Sequence, residues 1–465
     1  MNRKPLFLLV IMILCLVSSS LAAVKPGISF YKQKPDDPDA VYFNPASFNI
    51  TSDGKTDVSE ALQGAINKLK LEQNFGIIFI PEGTYTISRT IYIPEAIRLI
   101  GYGNKRPVFV LRKNSPGYQA PVTDDKGLAN YMFWFTGSVV EPGKAVDDAG
   151  AGTFYSALSN IDLKIENGNP AAVALRTHYA QHSFISHCDI YTGEGKAGMF
   201  DVGNEMEDVR FFGGDYGIYT TKTSPGWQFM MLDTYFEGQR VAAVKTQQAG
   251  LTIVRMVAKN VPRVISVDPG YWEKLFMEDC RFINVSDAAI SFDDEGNDNF
   301  QINLRNVICQ KVPVLVDYLK SKSQTSAPGE IYNVKKFVYG LQMSDLNAVP
   351  RFKTLFEPET LSSLPPVAAS DIPALPPMES WVNLKELGAK GDGVTDDTRT
   401  IMNAIDKYQT IYVPQGIYRV SEAILLKPNT ALIGLHPVAT QFVIGESTNA
   451  FSGFGAPVPL LEAPR

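Results

Sequence analysis

Two stretches of this chain read almost alike: Asp53-Gly54-Lys55-Thr56-Asp57 and Asp392-Gly393-Val394-Thr395-Asp396. An Ala-Ile pair follows each stretch at the same distance, and each copy continues into a Pro-x-Gly-x-Tyr segment, at 81–85 and at 414–418. The order predicts a turn at the glycine, a helix capped in its first turn by Thr or Asp, and a short apolar strand (77–80 and 410–413) that Pro and Gly end. Two such openings predict two copies of one architecture.

Length and composition agree with two globular domains. The chain has 465 residues, of which 45% are hydrophobic and 11% aromatic, which is more material than one core usually holds. A Pro-rich stretch with few apolar runs, 361–377, separates the copies and predicts a linker. We therefore divide the chain into a signal segment 1–22, a first domain 23–344, a linker 345–380 and the start of a second domain 381–465.

The charge balance and the N-terminus bear on partners and location. The chain carries 43 basic and 49 acidic residues without a clustered Lys/Arg stripe, so nucleic acid is not an expected partner. Arg3 and Lys4 precede an apolar run, 6–17, and a small-x-small site ends at Ala22, which is typical of a cleaved signal peptide. We expect a secreted or periplasmic monomer without stable membrane insertion after cleavage. A lipid anchor on Cys15 and an uncleaved membrane anchor are the alternatives.

A weaker repeat lies between residues 160 and 310. A polar residue opens a short strand every 20 to 30 residues or so, at Asn160, His187, Asp208, Asp233, Arg255, Asp279 and Asn306. Several of these strands are followed by a second apolar strand, and no helical periodicity separates them. The pattern predicts a stacked solenoid, an all-β parallel β-helix with about three strands in each coil. An antiparallel sandwich is the alternative, but hairpin turn signals are largely missing.

The cysteines do not form a disulfide framework. Beyond the signal segment only Cys188, Cys280 and Cys309 remain, an odd number without metal-type spacing. We expect buried small hydrophobic side chains, and whether one pair is oxidised stays open.

The second opening carries a resemblance to a known group of proteins. The segment Gly391-Asp392-Gly393-Val394-Thr395-Asp396-Asp397-Thr398, followed by 412–418, resembles the N-terminal signature of the pectate-lyase-like right-handed β-helix superfamily. Two such openings in tandem further resemble the family 55 glycoside hydrolases, exo-acting β-1,3-glucanases in which two β-helices lie side by side and form the site between them. The resemblance implies a polysaccharide substrate and no cofactor.

The Asp-Gly-x-Thr-Asp boxes hold the most conspicuous carboxylates. A calcium site or a catalytic acid pair is one interpretation, but the boxes lack the later bidentate Glu of an EF-hand loop. Asp and Thr before a helix cap its free amide groups, and Gly supplies a turn, so we expect the boxes to be structural.

The best candidate site begins in segment 174–183. In family 55 enzymes a corresponding strand carries a Gln, preceded by Ala, that positions the attacking water or the sugar, and Ala180-Gln181 resembles that element. A plain amide on the coil surface is the alternative for Gln181. His178 and His182 stand four apart, but Tyr179 occupies the place of the Glu in a His-Glu-x-x-His zinc motif, so no metal is expected. We expect His178 and Tyr179 to contact sugar.

The next coil adds carboxylates and amides to this candidate site. They lie in a predicted loop that begins at Phe200 and contains Asp201, Asn204, Glu205, Glu207 and Asp208. We choose Glu205 as a second catalytic candidate because it lies one coil after Gln181, and Asn204 as a sugar contact. The alternative interpretation of this cluster is an ordinary solvent-exposed turn, which has the same composition. Trp227 and Trp272 follow Pro-Gly turns and are candidate stacking platforms, although large aromatic residues more often pack than bind ligand.

Glycoside hydrolysis needs a protonated carboxylic acid, and an inverting enzyme needs a base on the opposite face of the sugar. The family 55 resemblance would place the acid in the second β-helix, several coils past its opening, whereas this sequence stops at Arg465. We therefore expect a fragment whose general acid lies outside it. The predicted function is inverting hydrolysis of a β-glucan such as β-1,3-glucan. The alternatives are a polysaccharide lyase, for which no basic cluster is evident, and a non-catalytic glycan-binding or structural β-helix.

Overall fold

The computed structural model describes residues 27–121, 130–223 and 226–464. These residues form a parallel β-solenoid with few helices, which confirms the predicted fold class. The predicted signal segment, 1–22, and Cys15 lie outside the described residues. None of the described helices is long and apolar enough to cross a bilayer.

We call residues 27–360 the first unit. Its elements are, in chain order, β1 (Val41–Tyr42), α1 (Pro45–Phe48), β2 (Asp53–Asp57), α2 (Ser59–Gln73), β3 (Gly76–Pro81), β4 (Thr84–Ile87), β5 (Ile91–Pro94), β6 (Ile97–Tyr102), β7 (Val108–Leu111), β8 (Tyr131–Thr136), β9 (Ala157–Ser159), β10 (Asp162–Ile165), β11 (Val173–Arg176), β12 (Phe184–Gly193), β13 (Ala197–Phe200), β14 (Glu205–Gly213), β15 (Tyr216–Thr220), β16 (Phe229–Leu232), β17 (Tyr235–Glu237), β18 (Ala242–Thr246), β19 (Leu251–Val254), β20 (Val257–Val267), β21 (Lys274–Glu278), β22 (Arg281–Phe292), β23 (Gln301–Gln310), β24 (Val314–Tyr318), β25 (Ser323–Ser326), β26 (Ile331–Gln342) and β27 (Arg351–Thr360).

Parallel pairing arranges these strands in three sheets around one core. Sheet A stacks β1, β3, β6, β9, β12, β14, β16, β19, β21 and β23. Sheet B stacks β2, β4, β7, β10 and β17 with the later parts of β12 and β14, and sheet C begins at β5, β8 and β11. The antiparallel strands β25, β26 and β27 close the far end. Each coil thus adds one strand to each sheet, as the repeat predicts.

The polar residues that open the repeat all lie at the corner between sheets A and B. Every one of them has a left-handed backbone with φ between 49° and 56°: Asn160, His187, Asp208, Asp233, Arg255, Asp279 and Asn306. Asn and Asp tolerate this conformation better than other non-glycine residues, which explains why they dominate the position. The repeat is therefore a series of sharp bends, and we call this line of residues the A/B corner.

The residue after each bend points into the core. Cys188 and Cys280 directly follow the bends at 187 and 279, in a column that holds apolar side chains in other coils, such as Val209. Cys309 lies three residues after the bend at 306, next to Phe282, and all three cysteines are buried free thiols. The cysteines thus serve as small hydrophobic residues in the stack, as predicted.

The Asp-Gly-x-Thr-Asp boxes have a structural role, although each forms a strand rather than only a turn. Gly54 and Gly393 have φ of +77° and +75°, a conformation that favours glycine. Asp57 accepts a hydrogen bond from the backbone N–H of Ser59 at 2.8 Å, at the start of α2, and Asp396 accepts one from Thr398 at 3.0 Å. The carboxylates therefore satisfy free amide groups at the helix starts, as the sequence predicts.

We call residues 381–464 the second unit, which repeats the opening of the first. Its elements, preceded by a 3₁₀ turn (Met378–Ser380), are β28 (Val382–Asn383), β29 (Asp392–Asp396), α3 (Thr398–Lys407), β30 (Thr410–Tyr412), β31 (Gly416–Val420), β32 (Ile424–Leu425), β33 (Ala431–Ile433), β34 (Thr440–Ile444), a 3₁₀ turn (Asn449–Phe451) and β35 (Leu461–Glu462). They pair in three parallel sets, β28–β30–β33, β29–β31–β34 and β32–β35, around a separate core.

Part of the range predicted as a linker, 345–380, is regular structure. Residues 351–360 form β27, which pairs with β26 along its whole length. Within this range, residues 345–350 and the Pro-rich part, 361–377, lack helix and strand. The sequence prediction drew the boundary too early because a strand of alternating charged and apolar residues next to prolines resembles a solvated connection.

The two units touch through a buried carboxylate. Asp37 of the first unit is 1% exposed and accepts hydrogen bonds from the Tyr412 hydroxyl at 3.1 Å and the Gln415 backbone N–H at 3.0 Å. Burial raises the pKa of Asp37. Because both donors belong to the second unit, Asp37 fixes the position of β30 against the first coils.

We predict that Asp37→Ala lowers the free energy of unfolding by about 2 to 4 kcal/mol, because two buried donors lose their acceptor. Urea unfolding followed by tryptophan fluorescence measures the change, since Trp381 stacks on Tyr412 with ring centroids 5.7 Å apart. Asp39→Ala is the matched control, because it removes a partly exposed ion pair to Lys385 and should cost less than about 1 kcal/mol. Equal effects of the two variants would contradict the role of Asp37.

A second buried network holds the N-terminal segment against the A/B corner. The Arg106 guanidinium lies 3.3–3.4 Å from the carboxylates of Asp162, Asp189 and Asp208, and Asp189 also accepts a hydrogen bond from the Gly27 N–H at 3.0 Å. Burial and the charge of Asp189 raise the pKa of Asp162 to about 7. Protonated Asp162 is therefore the form that the fold favours below neutral pH.

This raised pKa predicts a pH dependence of stability. The folded state retains a proton on Asp162 that the unfolded chain loses near pH 4, so the contribution of Asp162 to stability is full below about pH 4 and is lost as pH rises through about 7. We expect Asp162→Asn to gain stability relative to the wild type between pH 5 and pH 8, by on the order of 1 to 3 kcal/mol. Thermal melts across this range test it, with the exposed Asp298→Asn as control. A difference that does not change with pH would contradict the prediction.

Candidate functional site

A cleft opens where the second unit packs on the outer face of sheet A. The contact itself is apolar and joins Ile77, Phe79 and Ile100 of the first unit to Tyr412, Ile433 and Leu435 of the second. Beyond this contact the surfaces separate around a cavity of about 420 Å³, which we call cavity 1. It is lined by Arg98, His182, Phe184, Glu205, Val413, Leu432, Gly434, His436, Pro437, Thr440 and Phe442.

Arg98 forms the floor of cavity 1 and joins the two units. Its side chain donates hydrogen bonds to the carbonyl oxygens of Tyr155, His182 and Leu435, each at 2.9 Å, and its guanidinium lies 5.0 Å from the Phe184 ring centroid. Burial lowers the pKa of Arg98 to about 10. The positive charge in the lining of cavity 1 is thus held by main-chain carbonyls rather than by a carboxylate.

His436 closes the back of cavity 1 in its neutral form. Its Nε2 lies 2.9 Å from the Ala96 carbonyl oxygen, and its Nδ1 accepts hydrogen bonds from the Val438 and Ala439 N–H groups, each at 3.2 Å. Burial lowers the pKa of His436 to about 4. Every polar atom of the ring is occupied, so His436 is a structural contact between the units.

Two glutamates of β14 point outward into the cleft. Glu205 and Glu207 are half-buried and flank Met206, which points into the core and is 0% exposed. Side chains two residues apart in a strand lie on one face, roughly 6.6 Å apart along it. The sequence prediction of a loop at this point is wrong, because these residues pair with β12 on one side and β16 on the other.

The two carboxyl groups differ in their electrostatic surroundings. Burial, followed by the negative charge of Glu207, raises the pKa of Glu205, while His182 opposes the shift. Burial also raises the pKa of Glu207; His187 and Arg255 oppose this shift, whereas Asp233 and Asp208 add to it. Both carboxyl groups therefore stay protonated to higher pH than an ordinary carboxyl group.

A second cavity, of about 330 Å³, adjoins the first along sheet A, and we call it cavity 2. It is lined by Phe30, Tyr31, Phe184, Ile185, Ser186, His187, Glu205, Met206, Glu207, Leu232, Ile372, Pro373 and Leu375. Phe184 and Glu205 line both cavities. Glu205 thus stands where the two cavities meet, and Glu207 lines cavity 2.

His187 is a site residue that the sequence reasoning missed. Its Nδ1 lies 3.0 Å from an Asp208 carboxylate oxygen, and its ring stacks on Phe30 with centroids 3.9 Å apart. Asp208 in turn contacts Arg106 at 3.3 Å. The sequence signalled His187 only as a residue that opens a repeat, and the N-terminal segment that covers it is distant in the chain.

The predicted site residues are only partly brought together. Glu205 lies in the cleft. Gln181 occupies the same turn as His182, but it is not among the residues that line either cavity, and its Oε1 is buried without a hydrogen-bond partner. His182 reaches cavity 1 and stacks on Tyr155 with centroids 5.3 Å apart.

Two predicted sugar contacts lie elsewhere. Tyr179 is 0% exposed in the core, with its ring edge-on to Phe135 at 5.0 Å, so the prediction that it contacts sugar is wrong. The Tyr179 backbone also packs tightly against Gly203, where a Cβ atom would come within 1.9 Å of the Tyr179 carbonyl oxygen. His178 lies 3.8 Å from Asp148 beside Arg176, near sheet C, away from both cavities.

The remaining three predicted contacts occupy turns of successive coils. Asn204 donates a hydrogen bond to the Ser183 carbonyl oxygen at 2.9 Å and supports the turn before β14. Trp227 is half-buried in the turn before β16. Trp272 packs against the core, and Lys274 lies 5.6 Å from its ring centroid. None of the three is among the residues lining cavity 1 or cavity 2.

Metal ligands are not grouped in the described parts of the chain. Among residues 27–121, 130–223 and 226–464, no three His, Cys, Asp or Glu side chains are arranged so that they could hold a metal ion.

Curated proteins with similar sequences are longer than this chain. A non-secreted LysM effector of Penicillium expansum is 21% identical over 458 residues, covering 85% of this chain and 33% of the relative. An alginate lyase of Azotobacter vinelandii is 44% identical over 64 residues, 11% of this chain and 8% of the relative. A probable glucan endo-1,3-β-glucosidase of Arthroderma benhamiae is 32% identical over 88 residues, 18% of this chain and 10% of the relative. The chain thus spans a third or less of the length of each.

Solved structures with a similar fold are more distant in sequence. The catalytic unit of an α-1,3-glucanase from Streptomyces thermodiastaticus has a TM-score of 0.42 at 11% identity, over 63% of this chain and 58% of that one. A surface adhesin of Streptococcus pneumoniae has a TM-score of 0.33 at 9% identity, over 67% of this chain and 98% of that one.

A family profile matches most of the chain. The profile is described as rhamnogalacturonase A/epimerase, pectate lyase-like, and it matches residues 42–265 and 381–453. The matched ranges include β14 with its glutamate pair and the strands of the second unit that border cavity 1. The chain belongs to the rhamnogalacturonase A/epimerase family of pectate-lyase-like β-helix proteins.

Proposed function

We propose that this protein hydrolyses a glycosidic bond of a polysaccharide, with Glu205 as proton donor and Glu207 as base. The observation that carries the proposal is the position of this carboxyl pair on one face of β14, where Glu205 borders both cavities and Glu207 borders cavity 2. The family supports a carbohydrate-active protein, since its members act on glycans according to the names of the relatives.

The spacing of the pair favours inversion at the anomeric carbon. Inverting glycosidases hold their two carboxyl groups roughly 6.5 to 9.5 Å apart, which leaves room for a water molecule, whereas retaining enzymes hold them about 5 to 5.5 Å apart. Outward residues two apart in a strand are separated by roughly 6.6 Å along it. Side-chain torsions widen or narrow this distance, but the backbone spacing fits the inverting range.

The charges around the pair support the assignment of roles. A base must be ionised, and His187 and Arg255 favour the ionised form of Glu207, against burial, Asp233 and Asp208, which together raise its pKa. An acid must stay protonated, and ionised Glu207 raises the pKa of Glu205 further. In the proposed reaction Glu207 takes a proton from water, the water oxygen bonds to the anomeric carbon, the glycosidic C–O bond breaks, and Glu205 protonates the leaving oxygen.

The substrate that we propose is a β-glucan such as β-1,3-glucan. The resemblance to family 55 hydrolases and the similarity to a probable glucan endo-1,3-β-glucosidase over 88 residues support it. We further propose an exported monomer without a cofactor, divided into a first β-helix, the Pro-rich connection and the start of a second β-helix. The signal-like residues 1–22 support export.

We expect Glu205→Gln and Glu207→Gln each to lower the rate of sugar release from laminarin by about 10²- to 10⁴-fold, the usual contribution of an acid or base. Reducing-end assays measure the rate, and proton NMR of the first product shows whether the anomeric configuration is inverted. Glu278→Gln is the matched control, because Glu278 lies in the same outward column as Glu207, three coils on, and pairs with Arg305.

Three outcomes would contradict this proposal in different ways. Unsaturated products that absorb ultraviolet light, formed from polygalacturonate or alginate, would indicate a lyase. Binding to laminarin without release of sugar would indicate a non-catalytic glycan-binding protein. Full activity in both glutamine variants would place the chemistry elsewhere.

The raised pKa values also predict the pH profile. The rate should fall at low pH as Glu207 becomes protonated and at high pH as Glu205 ionises. Since the pKa of both groups is raised, the optimum should lie above the ordinary carboxyl range of about 4 to 4.5. Measuring kcat/KM from pH 3 to pH 9 tests the prediction, and an optimum below pH 4 would contradict it.

A further inference from the structure

The Pro-rich segment 361–377 lies along the first unit instead of passing through solvent. Arg281 donates hydrogen bonds from Nη2 to the carbonyl oxygens of Pro365 and Pro366, both at 2.6 Å. Further along, Ser370 donates to Asp233 at 2.7 Å, and Asp371 pairs with Arg255 at 2.7 Å. Because Asp233 and Arg255 belong to the A/B corner, the segment follows that corner back toward the first coils. We call residues 361–377 the strap.

The strap then forms one wall of cavity 2. Ile372, Pro373 and Leu375 line this cavity, on the side opposite the glutamate pair. The strap also passes residues 29–32 before it reaches the second unit, where it borders a further depression with Phe30. The chain segment predicted to be a passive connection is therefore part of the cleft.

Cavity 2 has a polar wall and an apolar wall. The polar wall carries Ser186, His187, Glu205 and Glu207 from adjacent coils of sheet A. The facing apolar wall consists of Phe30 and the three strap residues, which are a proline and two aliphatic side chains, while Leu232 continues the column of Ser186 and Glu207 on sheet A. A pyranose ring combines hydroxyl groups at its edge with an apolar C–H face. The polar wall can therefore bind the hydroxyl groups, and the apolar wall can pack against the C–H face.

We propose that cavity 2 is a sugar-binding subsite next to the carboxyl pair and that Ile372, Pro373 and Leu375 of the strap determine which sugar units it accepts. The occupant is one unit of the glycan whose neighbouring unit lies in cavity 1. Two observations support this occupant. Phe184 and Glu205 line both cavities, and the volume of cavity 2, about 330 Å³, lies within the range of small-ligand pockets. The proposal deepens the proposed function and rests on it for the position of the bond that is cut.

The strap can be altered without disturbing the fold. Leu375 is 40% exposed, and Val367, on the same segment, is 56% exposed. The ion pair between Arg255 and Asp371 contributes little, because the Asp371 side chain is 85% exposed. Substitutions that shorten strap side chains should therefore leave the free energy of unfolding nearly unchanged.

The test compares two strap variants in the same Glu205→Gln/Glu207→Gln background, so that no turnover occurs. The variant Ile372→Ala/Leu375→Ala shortens the two aliphatic strap side chains in the apolar wall of cavity 2. Val367→Ala is the control, since Val367 lines a separate depression beside Asp279 and Arg281. Isothermal titration with a β-1,3-linked glucohexaose measures the dissociation constant, and thermal melts verify folding.

We expect the double variant to weaken binding of the hexaose about tenfold or more, as the loss of two apolar contacts implies, and Val367→Ala to leave binding unchanged. Equal binding by all three proteins, equal weakening by both strap variants, or no binding by the parent would each overturn the subsite. If only the proposed function is wrong, the result differs. The wild type then releases no sugar, but the hexaose still binds, and the Ile372→Ala/Leu375→Ala substitutions still weaken that binding.

Discussion

Parallel hydrogen bonding between equal positions of successive coils is the constraint on which the rest of this structure depends. A residue at a given position in one coil stands next to its equivalent in the next coil, so the side chains of the outer face form columns. Phe184, Glu205 and Met230 make one column, and Ser186, Glu207 and Leu232 make the next. A slip of one residue would exchange the inner and outer faces, and the glutamate pair would enter the core.

The left-handed bends of the A/B corner maintain that register. Each bend ends the sheet A part of a coil and begins the sheet B part, and its side chain remains on the outside, where it meets the bends of the neighbouring coils. Asn306 donates to Asp279 at 2.6 Å, and His187 contacts Asp208. The same line of polar groups supplies Asp233 and Arg255, which hold the strap. One local backbone requirement therefore supports both the stack and a wall of the cleft.

The chemistry of the cleft depends on burial that no single segment provides. Glu205 and Glu207 are on the surface of the first unit, and it is the second unit, the N-terminal segment and the strap that enclose them. Burial is the first cause of the raised pKa of both groups. Arg98 helps to hold the two units together around this cleft, because its guanidinium donates hydrogen bonds to carbonyl oxygens of both units.

The sequence by itself determined the solenoid, the two openings, the structural role of their Asp-Gly boxes and the burial of the cysteines. These features follow from local rules, namely the spacing of turns, the conformations that Gly, Asn and Asp tolerate, and the free amide groups at helix starts. It also named Glu205 as a candidate because this residue lies one coil after Gln181, but it expected a loop there and added Tyr179 and His178 as sugar contacts, which lie away from both cavities. Only the tertiary structure decided which residues meet Glu205. Arg98 reaches Leu435 across 337 positions of sequence, and Ala96 meets His436 across 340. The strap likewise meets Arg281 across 84 positions of sequence, through the carbonyl oxygen of Pro365. Contacts at such separations depend on how whole coils stack and dock, and no local pattern in the sequence records them.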